Sequence, residues 1–539
     1  MFRRTTQTGN LLYGKNFSGQ QCKDMIKLIK PLLFASLLFN VACSCEPGLS
    51  QNNDGGQTSL PDPEGTWMLN SLEDIDSYAS AAEKNSMTIR LLRNENENIQ
   101  LVISTKDNSE LEIIREGTPS AISFDCRKVA TFANLKNDVL VPCNGKVKPE
   151  KSLVKVWLSF KAASDAPADT YKELIRFKSA TDEYIVAVYV VVQDAEIPIK
   201  PTHPCVFGIN PDNFILTGLS DEEKRAKRKE VADLLLDYRI SPYFSSWLAG
   251  TMKTECFSSP YRINDERTWR YLKDPRFSRI ALPFHGLSDE QLETMLDRAQ
   301  AEGVLDDAYF YIWDEPTKPS EYEQIHAMAD KIHQYAPTAK ILTSFYCGPV
   351  EGEHKDDLFA VFDMLNGATS IYCTGVWSLQ ANENRSKQCK AKVREGQEWW
   401  NYVCMADSPG LANNSTGIPN RVVMWRNWKE QPSGFLYWVV NSFGSMTPLT
   451  PRSGLPEGDG ILVYPGEPFG VDVPCVSVRL ERWRDGAEDY EMLVMYEKAK
   501  GRAAAEQLLY NVYKSPTDYT KTVKYVEALK KNLIEGIVD

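Results

Sequence analysis

A chain of 539 residues, 42% hydrophobic and 25% charged, has the composition of a core-forming protein of roughly two to four domains and excludes a disordered one. Its formal charge of −12 excludes a surface built to neutralise a phosphate backbone, which needs clustered Lys and Arg. The one basic cluster, KRAKRK at 224–229, is flanked by acids and reads as the solvated face of a helix.

Taken in chain order, the N-terminus reads as an export address. Residues 25–30 (MIKLIK) are positive, 31–39 (PLLFASLLF) form a short apolar core, and Ala42 is a small residue immediately before Cys43. The apolar run falls short of the ~20 residues that span a bilayer, so a cleaved leader is expected. Ala42-Cys43 resembles a bacterial lipoprotein processing site. That would make Cys43 the lipidated first residue and the membrane a partner through this anchor only. Asn40 stands where such sites usually carry Leu, and ordinary secretion is the alternative. Residues 1–45 are thus assigned to an upstream extension and leader, with Met25 a second candidate start. The polar, Gly- and Pro-rich segment 46–63 is assigned to a flexible tether. The expected location is the periplasm or cell surface.

Residues 64–197 read as an all-β sandwich. Segments 99–104, 111–115, 153–160, 172–177 and 184–192 are β-branched or aromatic runs bounded by polar turns, without convincing helices between them. The proline-rich 197–204 is an extended connector. Beyond it, strands alternate with amphipathic helices. Strands are expected at 205–210, 280–284, 308–313, 340–345, 370–373, 399–405 and 435–440. Helices are expected after capping boxes at Ser220–Glu223, Ser288–Gln291 and Ser320–Glu323. This alternation over 198–500 predicts a (β/α)8 TIM-type barrel, with a doubly wound sheet as the alternative. Residues 501–539 are expected to be C-terminal helices packed on the barrel. No GxGxxG or Walker loop supports a nucleotide cofactor, the cysteines form no CxxC pair, and His326 and His333 have no partners at zinc-ligand spacing. No cofactor and no metal are expected.

The chemistry-bearing stretch is 307–316, DAYFYIWDEP, where an apolar strand runs directly into Asp314 and Glu315. In a parallel barrel the carboxyl ends of the strands carry the active site, and this strand belongs to that series. Neighbours within a strand face opposite sides, but at the last position the backbone is released from alternation, so both acids can turn inward. Pro316 is expected to end strand pairing and to restrict Glu315 to extended backbone. The alternative is that both acids simply begin a solvated loop.

Trp313-Asp-Glu-Pro316 and the domain order resemble glycoside hydrolase family 123, the β-N-acetylgalactosaminidases and their relatives. The stretches 399–404 (WWNYVC), 434–438 (GFLYW), 458–466 (GDGILVYPG), 477–481 and 484–490 (RDGAEDY) match that family as well; 94–100 and 169–171 match more loosely. The resemblance implies a β-sandwich before a (β/α)8 barrel and a retaining exo-glycosidase that releases terminal β-linked N-acetylgalactosamine (GalNAc). In such a mechanism the substrate's own 2-acetamido oxygen is the nucleophile. By this analogy Asp314 orients the acetamido N–H and Glu315 is the acid and then the base. The loop 411–417 (LANNSTG) departs from the family in lacking an expected aromatic-rich segment, which bears on the leaving-group side.

Residues near expected strand ends are candidates for contact with the glycan partner: Tyr346, Trp377, Trp400, Tyr437 and Trp438 for stacking, Asn441 on the face of Tyr437, and His285 for a hydroxyl. Core or rim packing is the alternative for each. The cluster Arg479, Glu481, Arg484, Asp485, Glu488 and Asp489 is expected to be an ion-paired joint where the last helix packs on the barrel. Three functional readings stand side by side: a β-N-acetylgalactosaminidase, a glycosidase for another hexosaminide or glycoside, and a surface glycan-binding lipoprotein without turnover.

Overall fold

The computed structural model describes residues 60–117, 121–248, 253–405, 409–412 and 417–539. The expected leader, Cys43 and most of the expected tether lie outside the described residues.

Ten strands open the described chain: β1 (Thr66–Asn70), β2 (Ser86–Arg93), β3 (Asn96–Ser104), β4 (Leu111–Glu116), β5 (Ile122–Phe132), β6 (Leu135–Pro142), β7 (Lys146–Val147), β8 (Leu153–Ala162), β9 (Thr170–Lys178) and β10 (Glu183–Glu196). One sheet runs β1-β3-β8-β5-β6 and a second runs β2-β10-β9-β4-β7. Alternate residues of both, among them Leu101, Val156 and Leu158 from the first and Ile175, Phe177 and Val188 from the second, share one apolar core. The period-2 pattern that drives this burial was readable for β3, β4, β8, β9 and β10.

The second sheet-forming region comprises β11 (Cys205–Ile209), β12 (Ser241–Leu248), β13 (Lys253–Phe257), β14 (Ile280–Ala281), β15 (Ala308–Asp314), β16 (Lys340–Phe345), β17 (Ile371–Gly375), β18 (Glu398–Val403) and β19 (Gly434–Tyr437). They form a nine-stranded sheet in the order β13-β12-β11-β19-β18-β17-β16-β15-β14. Only β13 is antiparallel. Strand β11 pairs with β19, so the first parallel strand meets the last. The sheet curls into a nearly closed barrel, because the amide of Ser258, just after β13, donates to the Ala281 carbonyl of β14 at 3.0 Å. Sequence-adjacent strands stay neighbours throughout, without the reversal of order that defines a doubly wound sheet. The helices α1 (Asp221–Asp237), α2 (Glu266–Tyr271), α3 (Asp289–Ala301), α4 (Pro319–Tyr335), α5 (Ala360–Met364), α6 (Glu383–Lys392) and α7 (Ile418–Glu430) follow strands of this sheet, and α8 (Val478–Lys500) comes after further short strands.

Two of the three expected capping boxes start helices α1 and α3: Ser220 and Glu223, and Ser288 and Gln291, exchange side-chain and backbone bonds. The third helix begins earlier than expected. Pro319 occupies the first turn of α4, and the Glu321 carboxylate accepts from the Thr317 and Lys318 amides at 2.6 and 2.9 Å. Proline's fixed φ is already helical there and its missing N–H costs nothing, so it outcompetes the Ser320 cap.

Inside the barrel, Val206, Tyr243, Ala281, Tyr309, Tyr311, Leu342, Ile371, Cys373, Trp400, Tyr402 and Leu436 pack on one another. At the amino end, Glu398 of β18 accepts from Arg279, just before β14, at 2.9 Å and pairs with Lys340 of β16. This ionic floor closes one end of the barrel, leaving the carboxyl ends of the strands as the mouth.

The C-terminal segments correct two expectations. After the hairpin β20 (Phe443–Met446) and β21 (Leu449–Pro451), strands β22 (Val463–Tyr464) and β23 (Cys475–Ser477) do not stay with the barrel. Strand β23 pairs antiparallel with β6, making the N-terminal sheet seven-stranded. The ion-paired joint on α8 likewise faces that sheet and not the barrel alone. Arg479 pairs with Asp138 of β6, Glu481 with Arg127 of β5, and Asp485 accepts from Asn98 of β3, while Asp489 is held by Arg421 of α7. The helices α9 (Arg502–Tyr510) and α10 (Val523–Val538) pack with α7 and α8 and with Leu72 and Leu92 of the N-terminal region. Lys530 of α10 pairs with Glu95 and Glu97. Among the described residues no helix is long and apolar enough to cross a membrane.

Candidate active site

Along β15, Tyr309 and Tyr311 face the barrel interior, as strict alternation requires. Phe310 and Ile312 face the helical shell, and so does Trp313, which breaks the alternation. The register gives the reason: Tyr311 pairs with Leu342 and Trp313 with Thr343, so Ile312 is an extra residue. This bulge reverses the parity of the residues beyond it. Without it Trp313 would point inward and Asp314 outward. With it, Asp314 pairs with Ser344 and turns into the mouth.

Glu315 needs a second device. Its φ is +49°, so the expectation of extended backbone is overturned. A non-glycine residue in the left-handed region is uncommon, and the position before a proline adds a steric objection; such conformations persist where surrounding contacts over-determine them. Here the Glu315 amide donates to the Ser344 carbonyl at 3.1 Å, and its Oε1 accepts the Tyr402 hydroxyl at 2.7 Å. The two acids therefore reach one mouth by different means, a bulge for Asp314 and a left-handed turn for Glu315.

Asp314 Oδ1 accepts from the Tyr311 hydroxyl at 2.5 Å and the Ser344 hydroxyl at 2.6 Å, and these two hydroxyls lie 2.8 Å apart. Burial pushes the Asp314 carboxyl above its ordinary range, and the bonds from Ser344 and Tyr311 oppose that rise. Both donors address Oδ1. Burial, and next the charge of Glu315, push the Tyr346 hydroxyl up to about 12, so it remains a donor. The Trp377 ring lies 5.8 Å from that of Tyr346 and 5.0 Å, edge-on, from that of Tyr402. Its closeness requires Gly375, where a Cβ would stand 2.7 Å from the indole.

The structure thus brings Asp314, Glu315, Tyr346 and Trp377 together and gives each of the other candidates partners within the protein. Trp400 is deep in the barrel near the floor, donating to Glu398 at 2.8 Å and packed on Gly434, where a Cβ would meet its ring at 2.3 Å. Tyr437 faces outward onto Phe207, because Leu436 is the residue of β19 that pairs with Tyr402 and Val206 inside. Its hydroxyl donates to Asp459 at 3.0 Å. Asn441 does not share the mouth: its side chain clasps the backbone of Asn210 and Asn213 at 2.7 to 3.2 Å. Trp438 donates to Asp459 at 3.2 Å, and its carbonyl accepts from Tyr243. His285 Nε2 donates to the Ile312 carbonyl at 2.9 Å, so this nitrogen binds the bulge and not a hydroxyl.

Tyr311, Ser344 and Tyr402 were missed by sequence reasoning. Tyr402 has the same parity as Trp400 two residues earlier, and only depth in the barrel separates them. Ser344 lies in β16 two residues before Tyr346, and nothing local distinguishes its hydroxyl. Tyr311 lies three residues from Asp314, a spacing that meets on one face of a strand only across a bulge.

Residues 240–496 match the family model described as glycoside hydrolase 123, catalytic domain. The chain is similar to the solved structure of a family 123 glycoside hydrolase from Clostridium perfringens, described for glycolipid glycan hydrolysis. The TM-score is 0.61 at 12% identity, over 88% of this chain and 98% of that one. A β-D-glucuronidase from Dictyoglomus thermophilum matches over 73% of this chain and 67% of its own at 10% identity, with a TM-score of 0.26 that carries no argument. No curated protein sequence matches the chain.

Proposed function

We propose that this glycoside hydrolase, whose residues 240–496 match the catalytic-domain model of glycoside hydrolase family 123, releases terminal β-linked GalNAc with retention, using the substrate's acetamido group as nucleophile. The observation that carries this reading is the pairing of two adjacent acids with unlike surroundings in one barrel mouth. Asp314 is held by two hydroxyls on one oxygen; Glu315 stands on a strained turn against Tyr402.

In this reading Asp314 Oδ2 accepts the acetamido N–H. That bond raises the electron density of the acetamido oxygen and aims it at the anomeric carbon. As the C–O bond to the leaving group breaks, the acetamido oxygen closes on the anomeric carbon, giving an oxazolinium whose positive charge the Asp314 carboxylate offsets. Glu315 gives its proton to the departing oxygen, then takes one from the water that reopens the ring. Substrate assistance departs from the usual two-carboxylate geometry, in which a carboxylate itself attacks. Trp377, Tyr346 and Tyr402 supply an aromatic wall suited to the acetamido methyl and the apolar face of the sugar. The succession of eight parallel strands and helices supports a (β/α)8 barrel beneath this site, and the shared core of the N-terminal sheets supports a sandwich.

Aryl β-GalNAc, β-GlcNAc and β-galactoside substrates test the reading. Hydrolysis of GalNAc well above galactoside is expected, since galactose lacks the acetamido group, and equal rates would exclude substrate assistance. A rate on GlcNAc matching that on GalNAc would instead move the assignment to a broader hexosaminidase. The glycolipid glycan named for the Clostridium perfringens enzyme makes glycolipid-derived oligosaccharides the first natural substrates to try. We also propose export with a lipid on Cys43; Cys43→Ser should abolish incorporation of a labelled fatty acid, and undiminished labelling would refute the anchor.

A further inference from the structure

We propose that His285 is a positioning residue for catalysis: its ring holds the β15 bulge that turns Asp314 into the mouth. This rests on the role given to Asp314 above. A bulge breaks the regular ladder and leaves its extra residue without a normal partner. Ile312 is that residue, and the Nε2–H of His285 reaches its carbonyl at 2.9 Å. His285 comes from a different element, the segment after β14, and is buried, with its ring against Phe284 at 5.3 Å. The bond is therefore made by a side chain fixed independently of β15. The parity argument makes its consequence specific. In the bulged register Trp313 packs in the helical shell and Asp314 faces Tyr311 and Ser344. In the regular register the two would exchange sides. A histidine bonded to the bulge thus selects which of two neighbours the substrate meets.

The experiment is a double-mutant cycle on the full chain, with dinitrophenyl β-GalNAc so that weak variants stay measurable. His285→Ala removes the donor and His285→Leu fills the volume without one. His285→Gln returns an N–H near the same place. Loss of a buried carbonyl's donor predicts about a 10- to 100-fold fall in kcat for the Ala and Leu variants with KM little changed. Gln is expected to recover most of that loss. In the Asp314→Asn background, removing His285 should cost little more, because the residue it positions no longer acts. A circular dichroism spectrum and melting profile matching wild type confirm folding, and Leu substitutes for Ala if Ala fails to fold. Wild-type kcat in His285→Leu, no recovery in Gln, or a full and additive loss in the Asp314→Asn background would each overturn the proposal. If Asp314→Asn alone keeps wild-type activity, the role of Asp314 falls first, and with it this inference.

Discussion

Asp138→Asn tests how far the N-terminal sheet is energetically part of the enzyme. Asp138 and Arg479 are both fully buried, and the guanidinium meets the carboxylate through two bonds, Nε to Oδ1 at 3.0 Å and Nη2 to Oδ2 at 2.9 Å. Tyr464 donates to the same Oδ2 at 2.6 Å, and Arg479 Nη1 also donates to the carbonyls of Leu411 and Gly458 at 2.6 and 2.7 Å. Asparagine conserves the volume and one acceptor oxygen but removes the counter-charge. Breaking a buried pair by taking one partner costs about 3–5 kcal/mol, because the remaining ion is left uncompensated. Asparagine's remaining acceptor places the expected loss near the lower figure. Urea unfolding, followed by tryptophan fluorescence and far-UV circular dichroism together, reads the shift in midpoint and whether the two probes stay coincident. A loss below about 1 kcal/mol, the size of an ordinary surface pair, would refute the claim that this contact is a dry, uncompensated-charge site. Arg479→Met is expected to cost more than Asp138→Asn, since it strands the carboxylate and the carbonyls together.

Four further outcomes are expected, three at the site and one near the barrel floor. Glu315→Gln should retain measurable turnover on dinitrophenyl β-GalNAc, which needs no proton on leaving, and lose most activity on an alkyl glycoside; equal losses on both would exclude it as the acid. Ser344→Ala removes a bond that holds the Asp314 carboxyl down, so its pKa rises. On the proposed mechanism that carboxylate acts ionised, so the acid limb of the kcat profile should move to higher pH; an unmoved limb would detach it from Asp314. Tyr402→Phe deletes the 2.7 Å bond to Glu315 and should lower kcat about 10- to 100-fold, read by steady-state kinetics. Gly434→Ala drives a methyl to within 2.3 Å of the Trp400 ring and should destabilise by about 1–3 kcal/mol in urea unfolding, with KM unchanged in the folded fraction.

What was legible in the sequence was what alternation and periodicity encode. Residues 340–345 were expected as a strand and form β16, and the apolar run 308–313 forms all but the last residue of β15. Asp314 and Glu315 at that strand's end drew attention because acids are costly where a buried strand emerges. What was not legible depends on register. Tyr437 was placed in the mouth by counting along its own strand, whereas the pairing of Leu436 with Tyr402 sets its direction. The bulge at Ile312 has no compositional mark, so the inward turn of Asp314 was attributed to the strand end alone. The sequence pattern assigns no strand to 122–142, which contains both β5 and β6. Their polar residues Arg127 and Asp138 look like solvent positions until α8, more than 300 residues later, supplies Glu481 and Arg479 to meet them.

The pairing of β23 with β6 bears on modularity. The region that matches the family model, 240–496, begins after β11 and contains β22 and β23, which complete a sheet founded on residues 66–162. Excising that region would remove the barrel strand that β19 closes against and leave β23 without a neighbour on one side. It would also expose the β6 edge in whatever remained, a template for unwanted strand addition. The two sheet regions are therefore not interchangeable cassettes. Recombination, domain grafting or a trimmed expression boundary that respects the catalytic domain's nominal limits would sever a strand exchange, and inheritance of this enzyme's chemistry is tied to inheritance of its N-terminal sheet.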